Sequence, residues 1–191
     1  MKSDEELMAA YAAGDPTAFG DLFERYAPKL TRMMRRKISS PEAAEDLVQQ
    51  TFLQVHRARR DYDSRRPFRP WIWTIALNLQ REHFRRLGRR PEASLDHEPP
   101  ASSKQPLRLV EQAGRAAELR RAVADLPATQ REVIELHWFD ELSFPEVARV
   151  LGVGLSAVKV RAHRAYGTLR KALEDVTENA STSYDEREDE P

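Results

Sequence analysis

The chain has 191 residues, with 31 Lys and Arg against 31 Asp and Glu, twelve Pro, seven Gly and no Cys. That length holds one domain or two small ones at about 100–200 residues each, and a hydrophobic share of 40% beside a charged share of 32% points to small helical units with much charged surface. The lack of Cys excludes a disulfide scaffold, a thiolate zinc site and a cysteine nucleophile. No apolar run approaches the ~18–20 residues of a membrane span, and the start, MKSDEELMAAY, lacks the basic and apolar regions of a secretion signal. A cytoplasmic protein is the expectation.

The balanced charge is a cancellation between segments. Residues 1–90 carry 18 basic and 12 acidic side chains, residues 91–118 carry 3 and 5, residues 119–173 carry 9 and 6, and residues 174–191 carry 1 and 8. Two basic blocks with a mildly acidic stretch between them and an acidic tail suggest that the basic blocks meet nucleic acid. Solvated helix faces explain either block taken alone.

In chain order, Ser3 and Glu6 have capping-box spacing ahead of a short helix that runs through Tyr11 and stops at Gly14. Asp15 and Pro16 then offer an N-cap and a first helical residue whose missing N–H costs nothing. Phe19, Leu22, Phe23, Tyr26, Leu30, Met33 and Met34 follow at spacings of three and four, the stripe of an amphipathic helix. Ser40 and Pro41 repeat the start signal for a helix carrying Ala44, Leu47, Val48, Thr51, Phe52 and Val55 to about Arg60. After the polar loop DYDSRRPFRP a third long helix is predicted to start near Pro70. Around 88–106 the periodicity collapses into a proline-rich stretch, GRRPEASLDHEPPASSKQP, the composition of a linker. A second helical block runs from about Leu107 to Leu173, and the tail from Glu174 has too little apolar content to fold alone, so disorder is expected there. The tail either aids solubility or folds back on the basic modules. The fold class is all-α: a module at 1–90 that forms a helical bundle, a flexible linker at 91–118, a second module at 119–173 and an acidic tail at 174–191.

Within the second module, Ser143 and Glu146 form another capping box before Val147, Ala148 and Leu151. Gly152 supplies a turn that needs positive φ. The next helix turns Val158, Ala162, Ala165, Tyr166, Leu169 and Leu173 inward and Lys159, Val160, His163, Arg164, Gly167, Arg170 and Lys171 outward. Helix, glycine turn and helix with a basic outer face make a helix-turn-helix, whose second helix enters the major groove. A plain helical hairpin with a solvated basic face is the alternative. Arg164 suits guanine, and Lys159 a base or a phosphate. His163 reads as a polar contact, since no second metal ligand sits at i±4. The preceding helix, begun by Pro127 and carrying Val133, Ile134, Leu136 and Trp138, is expected to pack beneath the hairpin.

In the first module, residues 57–90 contain eleven Arg against Asp61, Asp63 and Glu82. On the helix after Pro70, Trp71, Thr74, Asn78, Arg81 and Arg85 share one face, and Ile72, Ala76, Leu79 and His83 lie towards a core. An aromatic, an amide and two guanidiniums in a line suit nucleic acid with exposed bases, which stack on aromatics. Trp71 and Trp73 lie two positions apart, so at least one of them belongs to a core. The helix before it shows a different surface, with Glu45, Asp46, Gln49, Gln50 and Gln54 outward and no positive charge until Arg57. That face suits solvent or a basic protein partner.

Together, AEDLVQQTFLQVHRARR, FRPWIWTIALNLQREHFRR and LPATQREVIELHWFDELSFPEVARVLGVGLSAVKVRAHRAYGTLRKAL resemble the sigma factors of bacterial RNA polymerase. The likeness is to the extracytoplasmic-function group of the sigma-70 family, which keeps the second and fourth conserved regions joined by a linker. The resemblance implies that the helix at 41–60 docks on the β′ clamp helices of core RNA polymerase, with Asp46, Gln49 and Gln50 as contacts. It implies that 61–86 melts and holds the −10 element, using Phe68, Trp71, Asn78, Arg81 and Arg85. It implies that the last helix reads the −35 element through Lys159, His163 and Arg164, with Arg161 on a phosphate, while that module meets the β flap. Promoter DNA is the second partner, an anti-sigma factor is a possible third, and the linker would thread towards the active-site channel. Gly154 departs from the family's usual Ser, Thr or Pro at the start of the recognition helix, Gly167 lies inside that helix, and Glu82 replaces the common Asp.

An enzyme is disfavoured. The five His are scattered, and HExxH, GxGxxG and the P-loop are absent from the sequence. No catalytic residue, metal site or cofactor is expected. The rival reading is a stand-alone helix-turn-helix regulator that binds duplex DNA without polymerase.

Overall fold

A computed structural model describes residues 2–88 and 118–185, with side chains as far as 172. The expected linker, 91–118, lies outside the described residues except for its last position. Among the described residues every regular element is helical: α1 (Asp4–Ala12), α2 (Pro16–Arg35), α3 (Pro41–Arg57), α4 (Phe68–Arg86), α5 (118–125), α6 (Ala128–Ile134), α7 (Phe144–Leu151) and α8 (Leu155–Asp185).

The starts of these helices follow from local chemistry. Ser3 accepts a hydrogen bond from the Glu6 N–H at 3.1 Å, and Glu6 returns to the Ser3 N–H at 2.7 Å. Gly14 closes α1 at φ +108°, a conformation that side chains with a Cβ resist. Asp15 caps α2 through the Thr17 N–H, and its bonds to the Thr17 hydroxyl and N–H hold its carboxyl below the usual range. Ser40 caps α3 through the Ala43 N–H. That helix ends at Arg57, three residues short of the expected limit, and the chain turns through Ala58 and Asp61.

α4 begins at Phe68, ahead of Pro70, and its cap is not local. Pro67 has no side chain that can accept a hydrogen bond, and the Phe68 N–H donates instead to the Glu5 carboxylate at 2.9 Å, across 63 residues of sequence. The N-terminal helix thereby fixes where α4 starts. Beneath this junction Tyr26 is buried and donates to Asp4, which also pairs with Arg25. Burial pushes the Tyr26 phenol far above its ordinary value, so it remains a donor.

The core of the first module comes largely from the expected stripes: Leu22, Tyr26, Leu30 and Met34 of α2, Leu47, Phe52 and Val55 of α3, and Ile72 and Ala76 of α4, joined by Trp73, while Phe23 of the α2 stripe is exposed. The core does not stop there. Met33 and Leu77 belong to one continuous apolar cluster with Leu136, Leu142, Val147 and Val150 of the second module. The two modules are thus packed against each other, α4 lying on α7 and α7 on α8. A smaller cluster of Val123, Leu126, Ile134, Ala165 and Leu169 ties α5 and α6 to α8.

Three expectations change in the second module. The segment that follows α6 widens into a π-helical turn, Glu135–Phe139, closed by the Asp140 N–H on the Glu135 carbonyl at 3.1 Å. The extra residue turns Trp138 outward, so it is 64% exposed instead of lying beneath the hairpin, and its indole N–H donates to the Tyr166 hydroxyl at 3.0 Å. Tyr166, expected inward, therefore sits on the open side. α8 continues to Asp185, so the tail expected to be disordered from Glu174 is helical to that point. The segment 174–185 contains neither Gly nor Pro, and lengthening an established helix avoids the cost of a new nucleus.

Candidate nucleic-acid interface

The helix-turn-helix is built as its sequence pattern requires. Ser143 caps α7, with the Glu146 N–H on its hydroxyl at 3.4 Å and the Ser143 N–H on the Glu146 carboxylate at 2.8 Å. Gly152 ends α7 in the left-handed region at φ +66°, which lets α8 leave at once in a new direction. Val158, Ala162, Ala165 and Leu169 of α8 are buried, and Lys159, Val160, His163 and Arg164 are exposed on the other face, with Arg161 half-buried at its flank. Of the four residues expected at a −35 element, Lys159, His163 and Arg164 therefore share one basic surface, and Arg161 lies on the same helix away from it. No Cβ added at Gly154 or Gly167 would meet another atom within 4 Å.

The set expected at a −10 element divides between surface and core. Asn78, Arg81 and Arg85 are exposed on α4, and Trp71 is half-buried. The Trp71 ring stands 4.8 Å from Tyr62 and 5.7 Å from Phe68, centroid to centroid, so one side of it rests on aromatic support. Phe68 is the exception. It is 0% exposed, in edge contact with Tyr26 at 5.3 Å, and it belongs to the core. Its place in the first turn of α4, held down by Glu5, turns its ring inward, so it supports Trp71 and does not offer a face to a base. Of the tryptophans, Trp73 is the one in the core, buried against Tyr26 with the Arg69 guanidinium 5.7 Å from its ring.

On α3, Asp46, Gln49 and Gln50 are exposed on one face, with Leu53 and Gln54 beyond them. Glu45 on the same helix is engaged by Arg35 at 2.8 Å. This face carries carboxylate and amide groups and is positioned by the burial of Leu47, Val48 and Thr51 on its reverse. The Thr51 hydroxyl donates to the Leu47 carbonyl at 2.7 Å, so even the polar residue on the buried side is satisfied within the helix.

A fourth set of contacts escaped the sequence reading, although Arg81 among its residues was expected at the −10 element. Arg36 places one guanidinium nitrogen 2.7 Å from both carboxylate oxygens of Asp140. Arg69 donates to the Asp140 carbonyl at 2.7 Å. Lys37 meets Glu135 at 2.5 Å, and Arg81 meets Glu132 at 2.5 Å. Burial raises the Asp140 carboxyl pKa and the Arg36 charge opposes that rise. Nothing local marks these residues, because the partners are up to 104 positions apart and each looks like an ordinary surface charge. Among the described residues no group of His, Cys, Asp and Glu has the arrangement of a metal site, and no helix is long and apolar enough to cross a membrane.

The family model described as Sigma-70 region 2 matches residues 22–90, and the model described as Sigma-70, region 4 matches residues 116–169. The chain is 33% identical over 166 residues to the RNA polymerase sigma factor CarQ of Myxococcus xanthus, covering 87% of this chain and 95% of that protein. It is 31% identical over 172 residues to the ECF RNA polymerase sigma factor SigM of Mycobacterium tuberculosis, covering 90% and 85%. Among solved structures it is similar to CnrH in complex with the cytosolic domain of CnrY, with a TM-score of 0.68 and 31% identity over 91% of this chain and 99% of that one.

Proposed function

The chain belongs to the extracytoplasmic-function group of the sigma-70 factors, and from that membership we propose how its surfaces divide the work of a promoter-specificity subunit. It binds core RNA polymerase and directs promoter recognition, as its two sigma regions and its relatives support. The acidic and amide face of α3, with Asp46, Gln49 and Gln50, docks on the β′ clamp helices. The exposed residues of α4, Trp71, Asn78, Arg81 and Arg85, hold the −10 element, and Lys159, Arg161, His163 and Arg164 of α8 read the −35 element while the second module rests on the β flap.

The observation that carries this division is the order of three chemically different faces on one chain: acidic-amide on α3, aromatic and cationic on α4, basic on α8 with Val160 and His163 among its cations. Only the middle one suits unpaired bases. Extruding a base costs a few kcal/mol, and stacking on a ring such as Trp71 returns about 1–3 kcal/mol per base. Arg81 and Arg85 add contacts along the backbone, and α8 works on intact duplex through the major groove. The reaction chemistry belongs to the polymerase; this chain supplies specificity and uses no cofactor. Work on core enzyme and promoter places it in the cytoplasm. CnrH is solved with the cytosolic domain of CnrY, and by likeness an anti-sigma factor is the natural third partner here.

Trp71→Ala tests the division. The variant is expected to bind core polymerase and −35 duplex as the wild type does, and to form open complexes about 10–100-fold less well, the equivalent of one lost stacking contact. Permanganate reactivity of the −10 thymines reads the opening, and a thermal melt confirms the fold. Equal loss of duplex binding and melting would contradict the division. A chain that binds duplex DNA tightly and ignores core polymerase would instead be the stand-alone helix-turn-helix regulator.

A further inference from the structure

The outer face of α8 is basic except along its middle. The helix buries Val158, Ala162, Ala165 and Leu169. At 3.6 residues per turn, Val160 lies about 170° from the middle of that stripe, on the line that faces directly outward. His163 stands about 60° to one side of it and Arg164 about 40° to the other. Both are exposed, as is Lys159, which precedes Val160. A hydrocarbon side chain therefore occupies the centre of a surface whose flanks are cationic.

Val160 is 49% exposed, the most open of the large apolar residues on the part of α8 with described side chains, and it belongs to neither apolar cluster. Several other open apolar side chains have cover of their own. Trp138 donates to Tyr166 at 3.0 Å, the Phe23 ring stands 4.7 Å from Phe52, and Phe139 lies 5.5 Å from the Arg36 guanidinium. Valine also brings α8 nothing locally, because a β-branched side chain is a poorer helix former than alanine. A lone exposed valine on an ordinary surface needs no account. At the centre of a face that meets DNA, the chemistry of the groove decides what it can touch.

Val160 is the sixth residue of α8, within the N-terminal turns that approach base edges when a recognition helix enters the major groove. Lysine and arginine are long enough to reach sideways to phosphates or to guanine, whereas a valine reaches only the base edge directly beneath it. Guanine, adenine and cytosine present nitrogen and oxygen groups on that edge, which would lose water against a hydrocarbon and gain no partner. Thymine alone adds a methyl group there.

We infer that Val160 reads a thymine of the −35 element through contact with its 5-methyl group. The element then combines that thymine with the bases and phosphates met by Lys159, His163 and Arg164. The inference rests on the assignment of α8 to the −35 element, and it adds a specificity residue that works without charge or hydrogen bond.

The test uses holoenzyme assembled from the full-length protein and bacterial core RNA polymerase. Duplexes randomised across the −35 box are selected for binding. Each thymine of the selected box, on either strand, is then replaced singly by deoxyuridine, which lacks only the methyl group. Burying one such group is worth about fourfold in affinity. The unaltered chain is expected to lose about that factor at one thymine position. Val160→Ala is expected to bind the thymine and deoxyuridine duplexes equally at that position and to keep its preferences in the rest of the box. Because Val160 is exposed, the variant is expected to fold normally, which a thermal melt checks. Arg164→Ala, measured on the same duplexes, is expected to weaken binding and to leave the methyl effect intact. Equal affinity for every deoxyuridine duplex, the same loss at the same position in Val160→Ala, or a selected box with no thymine on either strand overturns the contact. If Arg164→Ala weakens binding and deoxyuridine does not, the inference fails alone. A holoenzyme that selects no −35 sequence overturns the inference together with the assignment of α8.

Discussion

Phe68 and Trp71 lie three positions apart on one helix and have different work. Phe68 is fully buried between Tyr26, Tyr62 and Trp71, and Trp71 keeps part of its ring in the open. Truncating a buried phenylalanine removes its transfer energy and leaves a cavity, about 3–5 kcal/mol together. Phe68→Ala is therefore expected to lower the chemical-denaturation free energy of the whole protein by about that amount. A variant with normal stability and a selective loss of promoter opening would return Phe68 to the DNA face. Spacing put Trp71 on the outer face and the family resemblance added Phe68, and neither says which side of a first helical turn faces inward. That depended on Glu5, whose carboxylate caps α4 from the far end of the module.

At the level of elements, most of the fold was legible. Stripes at spacings of three and four, Ser and Asp caps, and Pro at first helical positions located α2, α3 and α7, because those signals act within a few residues. The outward basic face of α8 was legible for the same reason. The π-helical turn was not: Asp140, whose N–H closes it, pairs with Arg36, 104 positions away in the first module. The length of α8 was underestimated because low apolar content forecasts whether a segment folds by itself, not whether it extends a helix already anchored by Val158, Ala162 and Ala165. Gly167 is the element-scale anomaly: it stands inside α8 with nothing within 4 Å of an added Cβ. Gly→Ala in a helix interior gains about 0.8–1 kcal/mol. Gly167→Ala is expected to stabilise the protein by about that amount in a denaturant titration; a destabilised variant would show that α8 needs glycine's freedom there.

For the whole molecule, the sequence described two modules on a string and the structure joins them. What it lacked was any signal for pairings such as Arg36 with Asp140, which become visible only when α2 and the π turn are brought together. The proposed contact faces were nevertheless readable as exposed surfaces, since each lies on a single helix: Asp46, Gln49 and Gln50 on α3, Asn78, Arg81 and Arg85 on α4, Lys159, His163 and Arg164 on α8. The account stands on the first of these, because promoter reading by this chain has meaning only on the polymerase. Asp46 is exposed and contributes nothing to the core, so Asp46→Arg reverses a surface charge with little effect on folding. The decisive measurement is the binding of labelled full-length protein to bacterial core RNA polymerase, beside Asp46→Arg. The account predicts tight binding by the unaltered chain and at least a tenfold loss in the variant, of the order that charge reversal at a complementary contact produces. A well-folded chain that does not bind core, or binds it equally well with arginine at position 46, would contradict it.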